Sequence, residues 1–217
     1  MAILNHSVLG KISGKLGNLV IYQLNGKTVV REKPRWKKSY QASSLQRLHQ
    51  KKFRLATNAL RPLGKVLDKG YGEWVTSTRK GFHFALSQTL RQAMIEQQEV
   101  FMVNFESVLI SSGFVAPAKN PNFQVIGDQN LRITWETQGG LDTSKDSDLS
   151  WVVVYYPDLG LLDEFDGAAF RKSQVQEIEI SQKIDLHESY LFISFYRKQP
   201  KLKRQFSNSV CLKIRRE

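Results

Sequence analysis

The stretch Trp151-Val152-Val153-Val154-Tyr155-Tyr156 is rich in β-branched and aromatic residues, which are typical of a buried β-strand. It is the clearest of several such short segments, and together they decide the fold. Such segments recur along the C-terminal half of the chain, with polar turns and no helical pattern between them. The predicted strands cover residues 123–126, 131–136, 151–156, 175–180, 190–196 and 209–214. This spacing is typical of an antiparallel β-sandwich.

The character of the sequence changes near residue 100. We therefore predict a basic N-terminal module over residues 1–100, built from a β-hairpin and two helices, and a β-sandwich over residues 101–217. Residues 1–100 carry 18 Lys and Arg residues against 5 Asp and Glu, a net charge of +13, whereas residues 101–217 carry 14 against 15. A positive field on one half favours a polyanionic partner, such as nucleic acid or an acidic protein surface.

The first predicted element is a β-hairpin over residues 17–33. Two β-rich runs flank Asn25-Gly26, a pair that tolerates the positive φ angles of a type I′ turn. The preceding stretch, residues 10–17, is similar to a phosphate-binding loop. However, its glycine spacing is one residue short, Leu16 replaces the magnesium-binding Ser or Thr, and no helix is predicted after it. We interpret it as a tight turn before a strand.

A basic segment with interleaved aromatic residues follows: Lys33-Pro34-Arg35-Trp36-Lys37-Lys38-Ser39-Tyr40. Cations bind phosphates and ring faces stack on bases, a combination that suits single-stranded nucleic acid. A solvated linker whose Trp packs back onto the fold explains the stretch equally well. The candidate nucleic-acid-binding residues here are Arg35, Trp36, Lys37 and Lys38.

Two helices are predicted to form an αα-hairpin laid against the N-terminal β-hairpin. The first covers residues 43–60, where Ser43 and Gln46 form a capping box. Pro62 kinks or restarts it. The second covers about residues 79–97, after a cap region at 76–78. The apolar side of the first helix consists of Leu45, Leu48, Leu55, Ala56, Ala59 and Leu60, and its end is marked by Gly64, Gly70 and Gly72.

A basic row occupies another face of the first helix. Its members recur at alternating steps of four and three residues, which places them on one side. No acidic residue lies between Glu32 and Asp68 to relieve their mutual repulsion. Such a row is usually a solvated face, but the repulsion favours an anionic partner. The candidate nucleic-acid-binding residues of this row are Arg47, Lys51, Arg54, Arg61 and Lys65, with Asn58 between them.

Residues 122–214 resemble a fibronectin type III or immunoglobulin-like sandwich. Leu131-Arg132-Ile133-Thr134-Trp135 is similar to the second strand with its inward Trp, and residues 151–155 are similar to the third. Tyr190, in Leu186-His187-Glu188-Ser189-Tyr190-Leu191-Phe192, resembles the corner tyrosine that enters the penultimate strand. Residues 207–210 are similar to the entry to the last strand. The chain departs from this pattern by a long insertion at residues 137–150.

The whole chain also resembles a bacterial family known as a domain of unknown function. Members open with Gly-x-x-Ser-Gly-Lys-x-Gly-Asn-x-Val, which matches residues 10–20. They continue with Arg-x-x-Pro, matched by Arg31-Glu32-Lys33-Pro34. A Gln-x-x-x-Arg/Lys-x-Phe helix follows, represented by residues 46–53 with a spacing that differs by two. The resemblance implies no activity.

No combination of residues predicts an enzyme, a metal site or a cofactor. Cys211 is interpreted as a core thiol, because a single cysteine forms no internal disulfide or Cys-based zinc site. Four histidines lack the spacing of a metal site: His6, His49, His83 and His187. We interpret Asp142, Asp146 and Asp148 as part of a solvated turn, because they lack the pattern of a calcium-binding loop. We interpret Asp163, Glu164 and Asp166 as part of a loop without a basic partner.

Two functional hypotheses follow. The first is a non-enzymatic interaction protein whose N-terminal module contacts a polyanion, nucleic acid above all, and whose sandwich contacts protein. The second is a structural or assembly subunit of a filament, secretion apparatus or phage-like particle. It would self-associate head to tail through the acidic stretch 142–166 and the basic stretch 197–216. We expect the cytoplasm, or an assembly built there, and no membrane insertion or small-molecule substrate.

Overall fold

The computed structural model describes residues 2–4, 12–34, 41–97, 100–137, 143–183, 188–198 and 203–214. The chain divides into two compact units, Met1–Arg47 and Leu48–Glu217. This division lies inside the first helix, and the predicted domain boundary at residue 100 stays a prediction. The helices after Leu48 share a hydrophobic core with the sandwich.

The first unit contains an antiparallel sheet of order β1-β4-β3-β2. Its strands are β1 (Ala2–Leu4), β2 (Gly14–Leu16), β3 (Leu19–Leu24) and β4 (Lys27–Glu32). The predicted hairpin is confirmed, since β3 pairs with β4 through Asn25-Gly26, whose φ angles are 52° and 76° as a type I′ turn requires. Gly17, with φ 55°, begins the turn from β2 to β3. Within the described part of this stretch, Gly14–Leu16 form a strand that was not predicted, and the turn predicted before a strand lies at Gly17.

The helices are α1 (Ser44–Leu60), α2 (Gly64–Gly70) and α3 (Gly81–Gln92). The capping box of α1 is confirmed: the Gln46 amide donates to Ser43 Oγ at 3.2 Å, and the Ser43 amide donates to Gln46 Oε1 at 2.9 Å. After α1 the chain tightens into a 3₁₀ turn that contains Pro62, and then restarts as α2. Leu45 is 61% exposed whereas Ala56 and Leu60 are fully buried, so the later turns of α1 enter the core.

The second predicted helix is shorter than expected. It ends at Gln92, because residues 94–97 form strand β5 (Met94–Gln97), which pairs with β6 (Val100–Val103). A helical pattern and a strand pattern overlap in this segment, and the apolar run of β6 offers β5 a hydrogen-bonding partner. Tertiary pairing decided between the two patterns.

The sandwich is confirmed by its strand pairing. Its strands are β7 (Lys119–Val125), β8 (Asn130–Glu136), β9 (Leu149–Tyr156), β10 (Leu161–Phe170), β11 (Val175–Glu179), β12 (Ser189–Arg197), β13 (Gln205–Phe206) and β14 (Val210–Ile214). One sheet has the order β11-β8-β7, and the other has the order β10-β9-β12, with β13 and β14 both paired to β12. All the ladders between these described strands are antiparallel. Two such facing sheets are typical of a fibronectin type III-like sandwich, so the α+β fold class is established.

Strand β9 lies between β10 and β12, and both of its faces are covered. Its side chains alternate between two cores. The core between the two sheets contains Val152, Val154, Tyr156, Leu131, Ile133, Trp135 and Phe195. The core between the sheet and the helices contains Trp151, Val153, Tyr155, Phe192, Leu60, Leu67 and Leu86. The helices therefore form a third layer on the sandwich, whereas their packing on the β-hairpin stays a prediction.

Two residues of the fibronectin resemblance behave differently. Trp135 faces inward as predicted, with its ring edge-on to Phe195 at 5.4 Å. Tyr190 lies instead in the core on the helical side, 5.1 Å from the ring of Phe105. Its hydroxyl donates to Glu188 Oε1 at 2.9 Å. The corner tyrosine interpretation is therefore wrong for Tyr190, because its ring packs under the added layer.

Candidate nucleic-acid interface

The basic helical face consists of Arg47, Lys51 and Arg54 on α1, Arg61 in the 3₁₀ turn and Lys65 on α2. All five residues are exposed. Within the described part of the chain, no carboxylate lies at ion-pair distance from any of them. The other predicted candidates, Arg35, Trp36, Lys37 and Lys38, lie outside the described residues.

Neighbouring lysines are paired, which sets them apart from the basic helical face. Lys52 contacts Glu96 at 3.4 Å, and its ammonium lies 4.4 Å from the ring centroid of Phe101. Lys69 contacts Asp166 at 2.9 Å and also pairs with Glu164. In the described ranges, the cations of the basic helical face thus have no acidic neighbour that relieves their predicted repulsion. Lys52 and Lys69, beside this face, each have an acidic partner.

The tertiary structure brings further basic residues to this face. Arg54 and Arg61 line one shallow depression of about 610 Å³ together with Phe53. Arg61 and Lys65 line a second, of about 750 Å³, together with Lys80 from the start of α3. Lys80 was missed in the sequence because 15 residues separate it from Lys65. Its place beside the helical row comes from the packing of α3 on α2.

The second depression also contains a carboxylate, that of Asp68. Its Oδ1 accepts a hydrogen bond from the Phe82 amide at 3.2 Å, and His83 Nδ1 accepts one from the Lys80 amide at 3.1 Å. These two side chains satisfy the N-terminus of α3, where we had predicted the hydroxyls of residues 76–78. Asp68 is therefore engaged with the backbone, and the three cations that line the same depression, Arg61, Lys65 and Lys80, outnumber it.

Asp148 is buried, not part of a solvated turn. It is fully inaccessible to solvent, and its Oδ1 accepts a hydrogen bond from Arg197 Nε at 2.8 Å. Arg171 Nε lies 3.4 Å from the other oxygen, and Arg171 Nη2 donates to the Ala116 carbonyl at 2.6 Å. Burial lowers the pKa of Arg171, and the charge of Asp148 opposes that shift. This cluster ties the loop before β9 to the sandwich.

The acidic residues of β10 are also paired, so the interpretation of a loop without basic partners is wrong. Asp166 accepts a hydrogen bond from Arg204 at 2.7 Å, and Asp163 accepts one from the Tyr156 hydroxyl at 2.9 Å. Elsewhere Lys213 pairs with Glu188. Several charges that motivated head-to-tail docking are thus neutralised within the chain. Asp142, Lys201, Arg215 and Arg216 lie outside the described residues.

Asp166 gives this pairing a pH dependence. Burial raises the pKa of its carboxyl, but hydrogen bonds from Arg204, Tyr196 and Lys69 outweigh burial and hold that pKa well below its usual value. A depressed pKa stabilises the fold above the unfolded-state pKa of about 3.9 and loses that contribution as the pH falls toward the folded-state value. We expect Asp166→Asn to reduce the loss of stability below about pH 4, measured as urea midpoints across a pH series. An unchanged acid dependence would contradict this.

The remaining reactive groups are held in structural roles or lie at the surface. Burial raises the pKa of the Cys211 thiol, with Glu106 adding to the shift, so the thiol stays protonated at neutral pH. His49 is exposed, and His6 and His187 lie outside the described residues. Among the residues with described positions, no group of three His, Cys, Asp or Glu side chains is placed to hold a metal ion.

These features define an α+β protein in which a fibronectin type III-like sandwich carries a helical layer with an exposed basic face. The chain belongs to the Family of unknown function (DUF6266), whose model matches residues 11–212. A solved fn3 domain of the human collagen alpha-1(XX) chain is 16% identical, with a TM-score of 0.34 over 48% of this chain and 85% of that one. No curated protein matches the sequence. In the described ranges, no helix is long and apolar enough to cross a membrane.

Proposed function

We propose that this is a non-enzymatic interaction protein whose basic helical face binds the phosphates of a nucleic acid. The observation that carries the proposal is the exposure of five cations, none of which has a carboxylate at ion-pair distance in the described part of the chain. Like charges on one face destabilise a helix, and an anionic partner removes that cost. Arg and Lys are also the side chains that contact phosphates most often.

The size of the face suits a short stretch of backbone. Lys51 and Arg61 are ten residues apart, which corresponds to about 15 Å along a helix. Phosphates follow one another at about 3.4 Å per nucleotide along the axis of each strand of a duplex. The part of the face between Lys51 and Arg61 therefore spans about four nucleotides. Lys80 widens it beside Lys65, so a second strand or a curved single strand has a cation to meet.

The sandwich supports the non-enzymatic part of the proposal. Its carboxylates at Asp148, Asp163 and Asp166 each accept hydrogen bonds that join strands or loops of the fold. A general acid or base needs a free position and a reacting partner within reach, and these groups are occupied by structural bonds. We assign the sandwich the role of presenting the helical layer and meeting protein partners.

The salt dependence of binding tests the phosphate contacts. Each neutralised phosphate contributes about −0.9 to the slope of log affinity against log salt for duplex DNA. Replacing Arg47, Lys51 and Arg54 by Gln is expected to make that slope less negative by up to about 2.7, since three contacts are lost. Gln keeps a helix propensity close to that of Lys and Arg, so α1 should persist. Fluorescence anisotropy with a labelled duplex, over a salt series, measures the slope.

A matched control removes the same charge elsewhere. Lys119, Lys172 and Lys183 are exposed on the sandwich, and their replacement by Gln lowers the net charge equally. We expect this control to leave the slope unchanged. Absence of binding at low salt, or an equal effect of the two triple variants, would overturn the proposal. Binding of an acidic polypeptide but not of nucleic acid would identify the polyanion as protein.

A further inference from the structure

An aromatic pocket of about 350 Å³ lies beside α3, apart from the basic helical face. Its lining includes Trp74, Arg79, Phe84, Ser87, Arg91 and Ser112. Trp74 is 41% exposed, and Phe114, next to it, is 71% exposed. Two large aromatic rings thus lie at the surface beside two arginines. This site is separate from the basic helical face and has no role in the phosphate binding proposed there.

The rings are arranged as a platform. The ring of Phe114 stacks on that of Trp74 at 6.2 Å between centroids and 28° between planes, and Phe84 lies 6.4 Å from Trp74 on a tilted plane. The Trp74 indole Nε1 donates to the Ser112 carbonyl at 3.0 Å, which fixes the orientation of the ring. The platform is therefore preorganised.

The exposed position of Phe114 is imposed by the sandwich. On one side, a Cβ on Gly113 would lie 2.2 Å from the Phe206 carbonyl oxygen, so the backbone there fits closely against β13. On the other side, the Val115 amide donates to the same carbonyl at 3.2 Å, and Val115 is buried. The backbone thus holds the large apolar side chain of Phe114 in water, although burying such a side chain would stabilise the fold.

The pocket carries positive charge. The guanidinium of Arg79 lies 4.8 Å from the ring centroid of Phe84, and Arg91 Nη2 donates to Ser87 Oγ at 2.6 Å. In the described residues, neither arginine has a carboxylate at ion-pair distance. The nearby carboxylate of Glu73 is bound by Gln205 and the Phe206 backbone, and its burial raises its pKa despite these bonds.

We infer that one nucleotide unit binds at this pocket, with the base on the exposed ring of Phe114, which stacks on Trp74 at the pocket edge, and the phosphate at Arg79 and Arg91 in the pocket. The inference rests on the proposed nucleic-acid function. An aromatic face stacks on any base, and arginine binds phosphate through several N–H groups. The volume falls in the range of ligand pockets, about 300–1,000 Å³. A base in a duplex is stacked on both sides, so the site selects an unpaired nucleotide.

Phe114→Ala tests the inference, because it removes the outer ring of an exposed side chain with little effect on the fold. We expect affinity for oligothymidylate to fall roughly 5- to 100-fold while its salt slope stays unchanged, because stacking is lost and no phosphate contact is. Affinity for a duplex is expected to stay the same. Phe170→Ala is the matched control, since Phe170 is 48% exposed on β10 with Lys172 over its ring at 5.9 Å.

The outcomes separate this inference from the proposed function. If the wild-type protein binds duplex and the basic-face variant flattens the slope, but Phe114→Ala leaves the single-strand affinity unchanged, the pocket does not bind a nucleotide. It would then suit an aromatic side chain of a protein partner. Competition by free thymidine monophosphate that depends on Phe114 would identify a free nucleotide as the ligand. If Phe114→Ala lowers the affinity for oligothymidylate and free thymidine monophosphate does not compete, the ligand is a single-stranded nucleic acid.

Discussion

A fragment of residues 101–217 is expected to lose cooperative unfolding, whereas a fragment of residues 43–217 is expected to keep it. The shorter fragment lacks the apolar residues of the helical layer, namely Ala56, Leu60, Leu63, Val66, Leu67, Tyr71, Ala85, Leu86 and Ala93. These cover the outer face of the central sheet. Burial of one large apolar side chain contributes about 1.5–3 kcal/mol, and a whole domain is stable by about 5–15 kcal/mol. The stabilisation contributed by the missing helical layer is therefore larger than the free energy of unfolding that the sandwich can lose and still fold.

Thermal melts followed by circular dichroism measure this difference, with dye binding as a probe of exposed apolar surface. The longer fragment retains Ser43 and so the capping box of α1, which makes it a fair control. A cooperative melt of the shorter fragment, with β-type dichroism and no dye binding, would show that the sandwich folds alone. The boundary at residue 100 would then describe the folding units after all.

Asp148→Asn is expected to lower the free energy of unfolding by about 3–5 kcal/mol, because it leaves Arg171 and Arg197 without their buried counter-charge. Removing one partner of a buried ion pair costs far more than removing both. The double change Asp148→Leu with Arg171→Met leaves only Arg197, whose side chain is 18% exposed, without its counter-charge, and is therefore expected to lose less stability than Asp148→Asn alone. Urea denaturation with a fixed slope measures each loss.

Asp128→Asn is the control for this change. Asp128 pairs with Lys183 at 3.7 Å, and both side chains are more than half exposed, so the substitution is expected to change stability by at most about 0.5 kcal/mol. If Asp148→Asn has an equally small effect, the buried cluster does not join the loop to the sandwich. An intermediate effect with full recovery in the double variant would locate the cost in Arg171.

Several elements followed from local sequence because their physics is local. The Asn25-Gly26 turn needs two residues that accept positive φ, and the capping box needs a hydroxyl and an amide three residues apart. The central strands were recognisable because β-branched and aromatic residues recur in short runs. These choices involve neighbours along the chain, so no tertiary information was needed. The basic face of α1 was predictable for the same reason.

Predictions from local pattern were wrong where a distant partner decided the outcome. Residues 94–97 form a strand because β6 pairs with them, and Asp163 and Asp166 belong to β10 because β9 offers a ladder. The sequence around Asp166 does not indicate whether its carboxylate will contact Arg204 or water. Polar residues in half-exposed edge strands weaken the alternation that would have marked β10 as a strand.

The sequence by itself determined the class of fold, the Asn25-Gly26 turn and the capping box of α1, and the excess of positive charge in the first 100 residues. Only the tertiary structure decided that the helices cover the sandwich, that Asp148 is buried between two arginines, and that Trp74 and Phe114 form one platform. The physical reason is that propensity and periodicity act over a few residues. Burial, ion pairing and ring stacking depend instead on which distant side chains share a surface.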